Sequence, residues 1–287
     1  MKVGFLGPAG TFSEEALVAA GGMAALEPVA LPTIPDAVLA VQTGAVARGF
    51  VPIENSIEGS VDVTLDTLAG EAPDVAIVGE VVHPVRICLV AREPVALADV
   101  RTVISHPQPS GQCARFLRTE LPGALVTPAP STAEAVRLVT AGAHAALGVP
   151  EPAVALGPRL AAERYGATVL REGVEDLAGN QTRFVWLAPV GTAAVDAAGR
   201  GWKTAIVFWG PGDEGPGWLV RCLSEFAFRG VNLTRIESRP RREALGHYMF
   251  FADLDGRDSD APVAGAIAGL RGQAEIVRVL GSFPAAA

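Results

Sequence analysis

A two-part α/β fold is what the sequence predicts, on three observations. From residue 2 to about residue 187, short apolar runs alternate with helix-like stretches, the pattern of strands laid beside covering helices. The stretch 188–201, APVGTAAVDAAGRG, then lacks large apolar side chains and has the character of a linker. Beyond it, about 80 residues follow a βαββαβ order, the ferredoxin-like arrangement.

The elements follow in chain order. KVGFL (2–6) is a strand ended by Gly7-Pro8-Ala9-Gly10. Thr11 and Glu14 have the spacing of a capping box, so TFSEEALVAA (11–20) is expected as a helix. IPDAVLAVQTG (34–44) is a helix stopped by Gly44, and GFVPI (49–53) a strand entering the loop ENSIEGS. The helix VDVTLDTLAG (61–70) comes next. VAIVGEVVHPVRICLVAR (75–92) is interrupted at Pro84 and makes two strands or one long crossing segment. RTVIS (101–105) is a strand, HPQPSG a loop and QCARFLRTE (112–120) a helix. ALVT (124–127) is a strand, and Ser131 with Glu134 is a second capping box, opening STAEAVRLVTAG. AHAALGV (143–149), ATVLRE (167–172) and TRFVWLA (182–188) complete a mostly parallel, helix-covered sheet architecture.

In the C-terminal part WKTAIVFW, NLTRIESRP, HYMFFADLD and AEIVRVLGSF are strands. The helix PGWLVRCLSEFAFRG gathers Leu219, Cys222, Leu223, Phe226 and Ala227 on one face, and APVAGAIAGLRG is the second helix. Such a unit is rarely catalytic alone, so a regulatory or assembly role is expected of it.

Composition narrows the function. Apolar residues are 49% of the 287, enough for sizeable cores. A net charge of −8 argues against nucleic acid as a partner. No apolar run is long enough to span a bilayer, and MKVGFLGPAG breaks too early for a signal peptide, so a cytoplasmic protein without a membrane partner is expected. Cys88, Cys113 and Cys222 form no CxxC, and the four histidines have no ligand spacing; no metal and no cofactor is expected. Lysine occurs only as Lys2 and Lys203, which leaves arginine to meet carboxylates.

Four polar clusters fall at strand ends: GPAGTFS (7–13), PIENS (52–56), SHPQPSGQC (105–113) and NQTRF (180–184). Three of them open into a helix, whose free N–H groups and positive dipole end favour carboxylate or phosphate. The fourth offers Arg183 as a carboxylate clamp. Together they describe a site for a small polyanion, lined with Asn, Ser, Gln and Thr. The GPAG turn lacks the GxGxxG spacing and the P-loop lysine. Ser105 and His106 are neighbours on a strand and point to opposite faces, which argues against a nucleophile and its base. Cys113 sits near a helix start, where a thiolate would be favoured, but the three cysteines are expected as reduced, buried small hydrophobes and not as catalytic groups.

In order and spacing, GPAGTFSEEA, VPIENSIEGSV, SHPQPSGQC and NQTRF resemble the signature motifs of the bacterial prephenate dehydratases. The tail is similar to that family's regulatory ACT domain, where GVNLTRIESRP matches the phenylalanine-binding stretch. The resemblance implies conversion of prephenate to phenylpyruvate in phenylalanine biosynthesis, with phenylalanine as allosteric effector. It implies a catalytic part with two lobes like a periplasmic binding protein, spanning 1–188. Lobe one would be about 1–80 and 165–188, lobe two about 81–164, followed by a linker at 189–201 and the ACT domain at 202–287. Thr182, Asn55, Ser105 and Gln112 carry the family's catalytic positions, with Thr182 the essential one. Thr11, Ser13, Glu54, Ser56, Arg183 and Phe184 are expected at the substrate. Gly217, Asn232, Leu233, Glu237, Ser238, Arg239 and Pro240 are expected at the effector. A homodimer or homotetramer is expected. One departure stands out: Trp218 follows Pro-Gly where the family has a small residue, so an indole would fill the effector site or pack against its ligand. Arogenate dehydratase, non-aromatising prephenate decarboxylase and an amino-acid-sensing binding protein are the competing readings.

Overall fold

The computed structural model describes residues 1–21, 26–194, 200–210 and 215–286. In chain order the first lobe begins with β1 (Lys2–Leu6), α1 (Phe12–Ala19), β2 (Glu27–Leu31) and α2 (Ile34–Gln42). It continues with β3 (Arg48–Asn55), the two-residue β4 (Gly59–Ser60), α3 (Asp62–Gly70) and β5 (Val75–Pro84). The chain then crosses into a second sheet through β6 (Cys88–Ala91), β7 (Thr102–Ser105), α4 (Pro107–Gln112) and α5 (Ala114–Glu120). β8 (Leu125–Pro128), α6 (Thr132–Thr140), β9 (Ala153–Gly157), α7 (Arg159–Tyr165) and β10 (Thr168–Glu172) complete that lobe. It crosses back as β11 (Gln181–Pro189). The C-terminal unit is β12 (Trp202–Trp209), α8 (Trp218–Ala227), β13 (Leu233–Pro240), β14 (Tyr248–Asp255), α9 (Ala261–Arg271) and β15 (Ile276–Pro284).

The first sheet has the order β2-β1-β3-β11-β5, with β4 paired to β3, and the second β10-β6-β9-β7-β8. Both are mixed rather than mostly parallel. β11 runs antiparallel to β3 and β5 because it returns from the other lobe, and β6 runs antiparallel to β9 and β10. β10 belongs to the second sheet through its pairing with β6, so the return to the first lobe comes after Glu172, later than the expected 165. The two crossings lie side by side, Val85 N–H donating to Asn180 O at 2.8 Å and Val174 N–H to Ile87 O at 3.1 Å.

Other expectations also give way. Thr11 does not cap α1: its hydroxyl donates to Leu6 O at 3.1 Å, and the Glu14 carboxylate instead accepts from Gly10 N at 2.5 Å. The reciprocal capping box sits at Thr33 and Asp36, and Ser131 caps α6 from its side chain while Glu134 turns to Arg137. HPQPSG is not a loop but mostly the short helix α4, with His106 at its N-cap. PIENS leads into a turn and β4 before α3 begins. AHAALGV is not a strand; Ala143–Leu147 is a 3-10 turn flanked by Gly142 and Gly148, both with positive φ. The central strand of that region is the fully buried AVALG of β9, whose run of small apolar residues carries no alternation to betray it.

The C-terminal sheet has the order β13-β14-β12-β15, all antiparallel, the ferredoxin-like topology. Its helix-covered face buries Ile206, Phe208, Cys222, Phe226 and Leu270 with Trp218. Its other face is not solvent. Ala205, Val207, Met249, Phe251, Leu280 and Phe283 join one continuous core with Val51, Ile53, Ile77, Val185 and Leu187 of the first sheet and with α2 and α3. The C-terminal unit is therefore packed on the first lobe and not merely tethered to it. Of the expected linker, residues 195–199 lie outside the described residues.

Candidate active site

The four polar clusters meet in one cleft of about 730 Å³ between the lobes. Thr11 and Ser13 come from the α1 end, Asn55 from the end of β3, Gln112 from the end of α4, and Thr182 and Phe184 from β11. Most of the site thus hangs on the double crossing, where backbone pairing holds the strands in register.

A chain of side-chain amides organises it. The Asn55 Oδ1 accepts from the backbone N–H groups of Ile57 at 2.9 Å and Glu58 at 3.0 Å, which settles which way the amide points. Its Nδ2 then faces Asn180 Oδ1 at 2.9 Å, Gln181 O at 3.1 Å and Thr182 Oγ1 at 2.9 Å. Asn180 Nδ2 donates to Gln112 Oε1 at 3.2 Å, and Gln112 Nε2 to Glu58 Oε1 at 3.3 Å. Because Thr182 Oγ1 accepts from Asn55, its own proton is left to donate into the cleft. Buried amides tied off in this way are costly to rearrange, so the hydroxyl is preorganised.

The cleft is poor in charge. Among the described lining residues the ionisable ones are His106 and Glu134, and Glu134 is held by Arg137 at 2.7 Å. No arginine or lysine lines it among those residues. Backbone donors face it from two helix starts: α1 of the first lobe, with no side-chain cap but with Glu14 and Glu15 in its first turn, and α6 of the second, capped by Ser131, where Ser131 and Thr132 line the wall. Phe12, Ile34, Val85 and Phe184 supply apolar surface, with Phe184 stacked on Phe50 at 5.0 Å.

Four of the expected residues are elsewhere. Ser105 is fully buried, its hydroxyl donating to His106 O at 3.0 Å, and does not line the cleft. Ser56 accepts from Gln181 N at 2.9 Å and braces the loop from outside. Glu54 and Arg183 point through the sheet to its other face. Side chains alternate along a strand, so if Thr182 and Asn55 face the cleft their neighbours must not. Arg183 is no substrate clamp: it meets Asp253 at 2.6 Å, Glu54 at 3.3 Å and Glu80 at 3.5 Å. Burial opposes its charge, but Asp253, Glu80 and Glu54 outweigh burial and hold its pKa above the usual arginine value. The thiol of Cys113 is buried and pushed up to about 12, first by burial and then by Asp176 and Glu175, so it is not a nucleophile.

Asn180, His106, Ser131 and Thr132 were not among the expected site residues. Asn180 had a signal, since it stands two residues before Thr182, but an asparagine after glycine also fits an ordinary turn.

The expected effector residues separate. Glu237 accepts from Ser60 Oγ at 2.8 Å and Arg239 binds Asp66 at 2.9 Å, both turned toward the first lobe. Asn232 bonds Asp255 at 2.8 Å; Ser238 and Pro240 are exposed, Leu233 is half-buried, and Gly217 sits in the left-handed region before α8. Trp218 lies in the core of its own unit, its indole N–H donating to Gln273 O at 2.7 Å and its ring near Phe208 and Phe250. It is a packing residue.

Comparison with known proteins gives concordant results. The family model described as "PDT: Prephenate dehydratase" matches residues 3–191. A prephenate dehydratase of Amycolatopsis methanolica is 38% identical over 285 residues, covering 98% of this chain and 88% of that protein. The crystal structure of prephenate dehydratase from Arthrobacter aurescens in complex with L-Phe superposes with a TM-score of 0.85 at 36% identity, covering 99% of this chain and 90% of that one. A structure described as GqqA, a novel type of quorum quenching acylase, superposes with a TM-score of 0.82 at 28% identity over 99% of this chain and 98% of that one.

Proposed function

This chain belongs to the prephenate dehydratase family, and from that premise we propose how its cleft performs the reaction. The reaction is the decarboxylating dehydration of prephenate to phenylpyruvate. The bond from ring carbon to carboxylate breaks, its electron pair moves through the ring diene, and the hydroxyl at the far ring carbon leaves. With one proton from solvent the oxygen departs as water, beside CO2. The ring becomes aromatic, so the driving force lies in the substrate. The enzyme must orient the ring, ease the departure of hydroxide and desolvate the carboxylate that is lost.

The observation that carries the reading is the Asn55–Thr182 hydrogen bond, which leaves the Thr182 proton directed at the substrate. A threonine hydroxyl is too weak an acid to transfer a proton outright, but it can donate to an oxygen on which charge develops. Thr182 fills this role, Asn55 orients it, and Gln112 and Asn180 brace Asn55. The helix starts of α1 and α6 are the anion-binding ends of the cleft, and the substrate carboxylate that is retained is held at one of them. The neutral, partly apolar walls supply the weak solvation that favours CO2 loss.

Asn55→Asp tests this wiring with almost no change of shape. One oxygen of the new carboxylate would still accept from the N–H groups of Ile57 and Glu58. The other would face three acceptors, and Thr182 would have to spend its proton on it. The expected result is a kcat reduced by roughly 10²-fold, as for loss of one oxyanion donor. Near-normal kcat would break the chain of reasoning.

The C-terminal unit is a regulatory ACT-type domain that responds to L-phenylalanine, a reading supported by its ferredoxin-like topology and by the similar structure that holds L-Phe. Effector binding draws on Gly217, Asn232, Leu233, Glu237, Ser238, Arg239 and Pro240. A homodimer or homotetramer is the working state in this reading. The deciding experiment is to incubate the protein with prephenate and follow phenylpyruvate by absorbance, with and without phenylalanine. Turnover that phenylalanine suppresses is expected, and absence of phenylpyruvate would refute the assignment.

A further inference from the structure

The sheet that carries Thr182 has a second polar face. On the cleft side β11 and β3 present Thr182 and Asn55, paired across the strands. One residue along, Arg183 and Glu54 are also paired, and both point toward the C-terminal unit. There Arg183 meets Asp253 of β14 at 2.6 Å and Glu80 of β5 at 3.5 Å. Glu80 is shared with Lys203 of β12 at 2.9 Å and with the backbone N–H of Ala286 at 2.8 Å. Arg235 of β13 donates to Ser60 Oγ at 2.7 Å. Arg183, Glu80 and Asp253 have side chains 10%, 1% and 4% exposed, so the cluster sits deep in the joint between the two parts.

A buried ion cluster is a poor way to gain stability, because desolvating the charges offsets most of their attraction; what it does well is specify one arrangement. Here the arrangement specified is that of the backbone next to Thr182. Glu54 at 3.3 Å and Glu80 at 3.5 Å pair with the guanidinium as ions, while Asp253 at 2.6 Å makes the hydrogen bond to it and is its shortest contact. A group that must hold a donor at a leaving oxygen is sensitive to such placement, since a shift of about 1 Å can cost 10²-fold in rate.

We propose that Arg183 is a positioning residue for the reaction, aligned from the C-terminal unit by Asp253, so that docking of that unit sets the geometry at Thr182. The proposal rests on the reading of Thr182 as the donor to the leaving oxygen. It makes the route from the C-terminal unit to the chemistry a single residue long, the peptide link between Arg183 and Thr182.

The test is steady-state kinetics with prephenate on the full-length Asp253→Asn, Arg183→Lys and combined variants, with circular dichroism and thermal unfolding beside them. Each single variant is expected to lose roughly 10- to 100-fold in kcat with KM changed less than about threefold. The combined variant should be no worse than the more impaired single, because both changes break one linkage. A folded Asp253→Asn or Arg183→Lys protein with kcat within about twofold of wild type overturns the proposal, as do losses that multiply in the combination. If Asp253→Asn fails to fold, the split between kcat and KM in Arg183→Lys decides. A purely structural role would lower the thermal midpoint without that split. Thr182→Ala is run in parallel: full activity there defeats the reading of Thr182 itself. Its collapse beside active Asp253→Asn defeats only the coupling.

Discussion

Thr182→Ala is expected to lower kcat by roughly 10²–10³-fold, the usual cost of one donor aimed at developing negative charge. Thr182→Ser should remain within about tenfold of wild type, since the hydroxyl and its bond from Asn55 are retained. Thr182→Val is the sharper control. It keeps the shape but leaves the Asn55 amide facing a methyl group, so it should resemble Ala and not Ser. KM should move little in all three, because the proposed bond strengthens only as the oxygen leaves. Stopped or steady-state assays of phenylpyruvate formation provide the measurement. Equal kcat values for Ala, Val and Ser would remove Thr182 from the chemistry.

Gly281→Ala is expected to lower the stability of the fold markedly. Gly281 lies on β15 where the C-terminal sheet presses on β5, and an added Cβ would collide with the carbonyl oxygen of Ile77. The atom in the way is backbone within a paired strand, so no side-chain rotation can relieve the clash. Overpacking of this kind typically costs about 1–3 kcal/mol, and here it must either move β15 or undock the sheet. Thermal unfolding should show a midpoint lowered by several degrees. Gly201→Ala, where an added Cβ would meet nothing within 4 Å, should change stability by less than about 0.5 kcal/mol. If the two variants unfold alike, the close approach is not a constraint.

The second expectation depends on the joint between the parts, and the joint is the feature least legible in the sequence. The stretch after Leu187 reads as a linker, and a linker suggests independent units. Nothing in WKTAIVFW tells which of its faces meets helices and which meets another sheet, since both are apolar. Only the assembled fold shows Ala205 and Val207 sharing a core with Ile53 and Leu187. In the same way Gly281 is one glycine among 32, and its importance depends on what stands opposite it.

The site divides along similar lines. Its polar residue types, their grouping at strand ends and their match to one family were all legible in the chain, because chemistry of this kind is written in short local runs. That Thr182, Asn55 and Gln112 belong to one site was legible as well. What tertiary structure decided was direction. Strand alternation says that Thr182 and Arg183 point opposite ways, yet it cannot say which of them meets the substrate. That depends on which face of the sheet the second lobe covers and which the C-terminal unit covers, a matter of long-range packing. The fold gives the cleft to Thr182 and the joint to Arg183, turning an expected substrate clamp into a link between the chain's two parts.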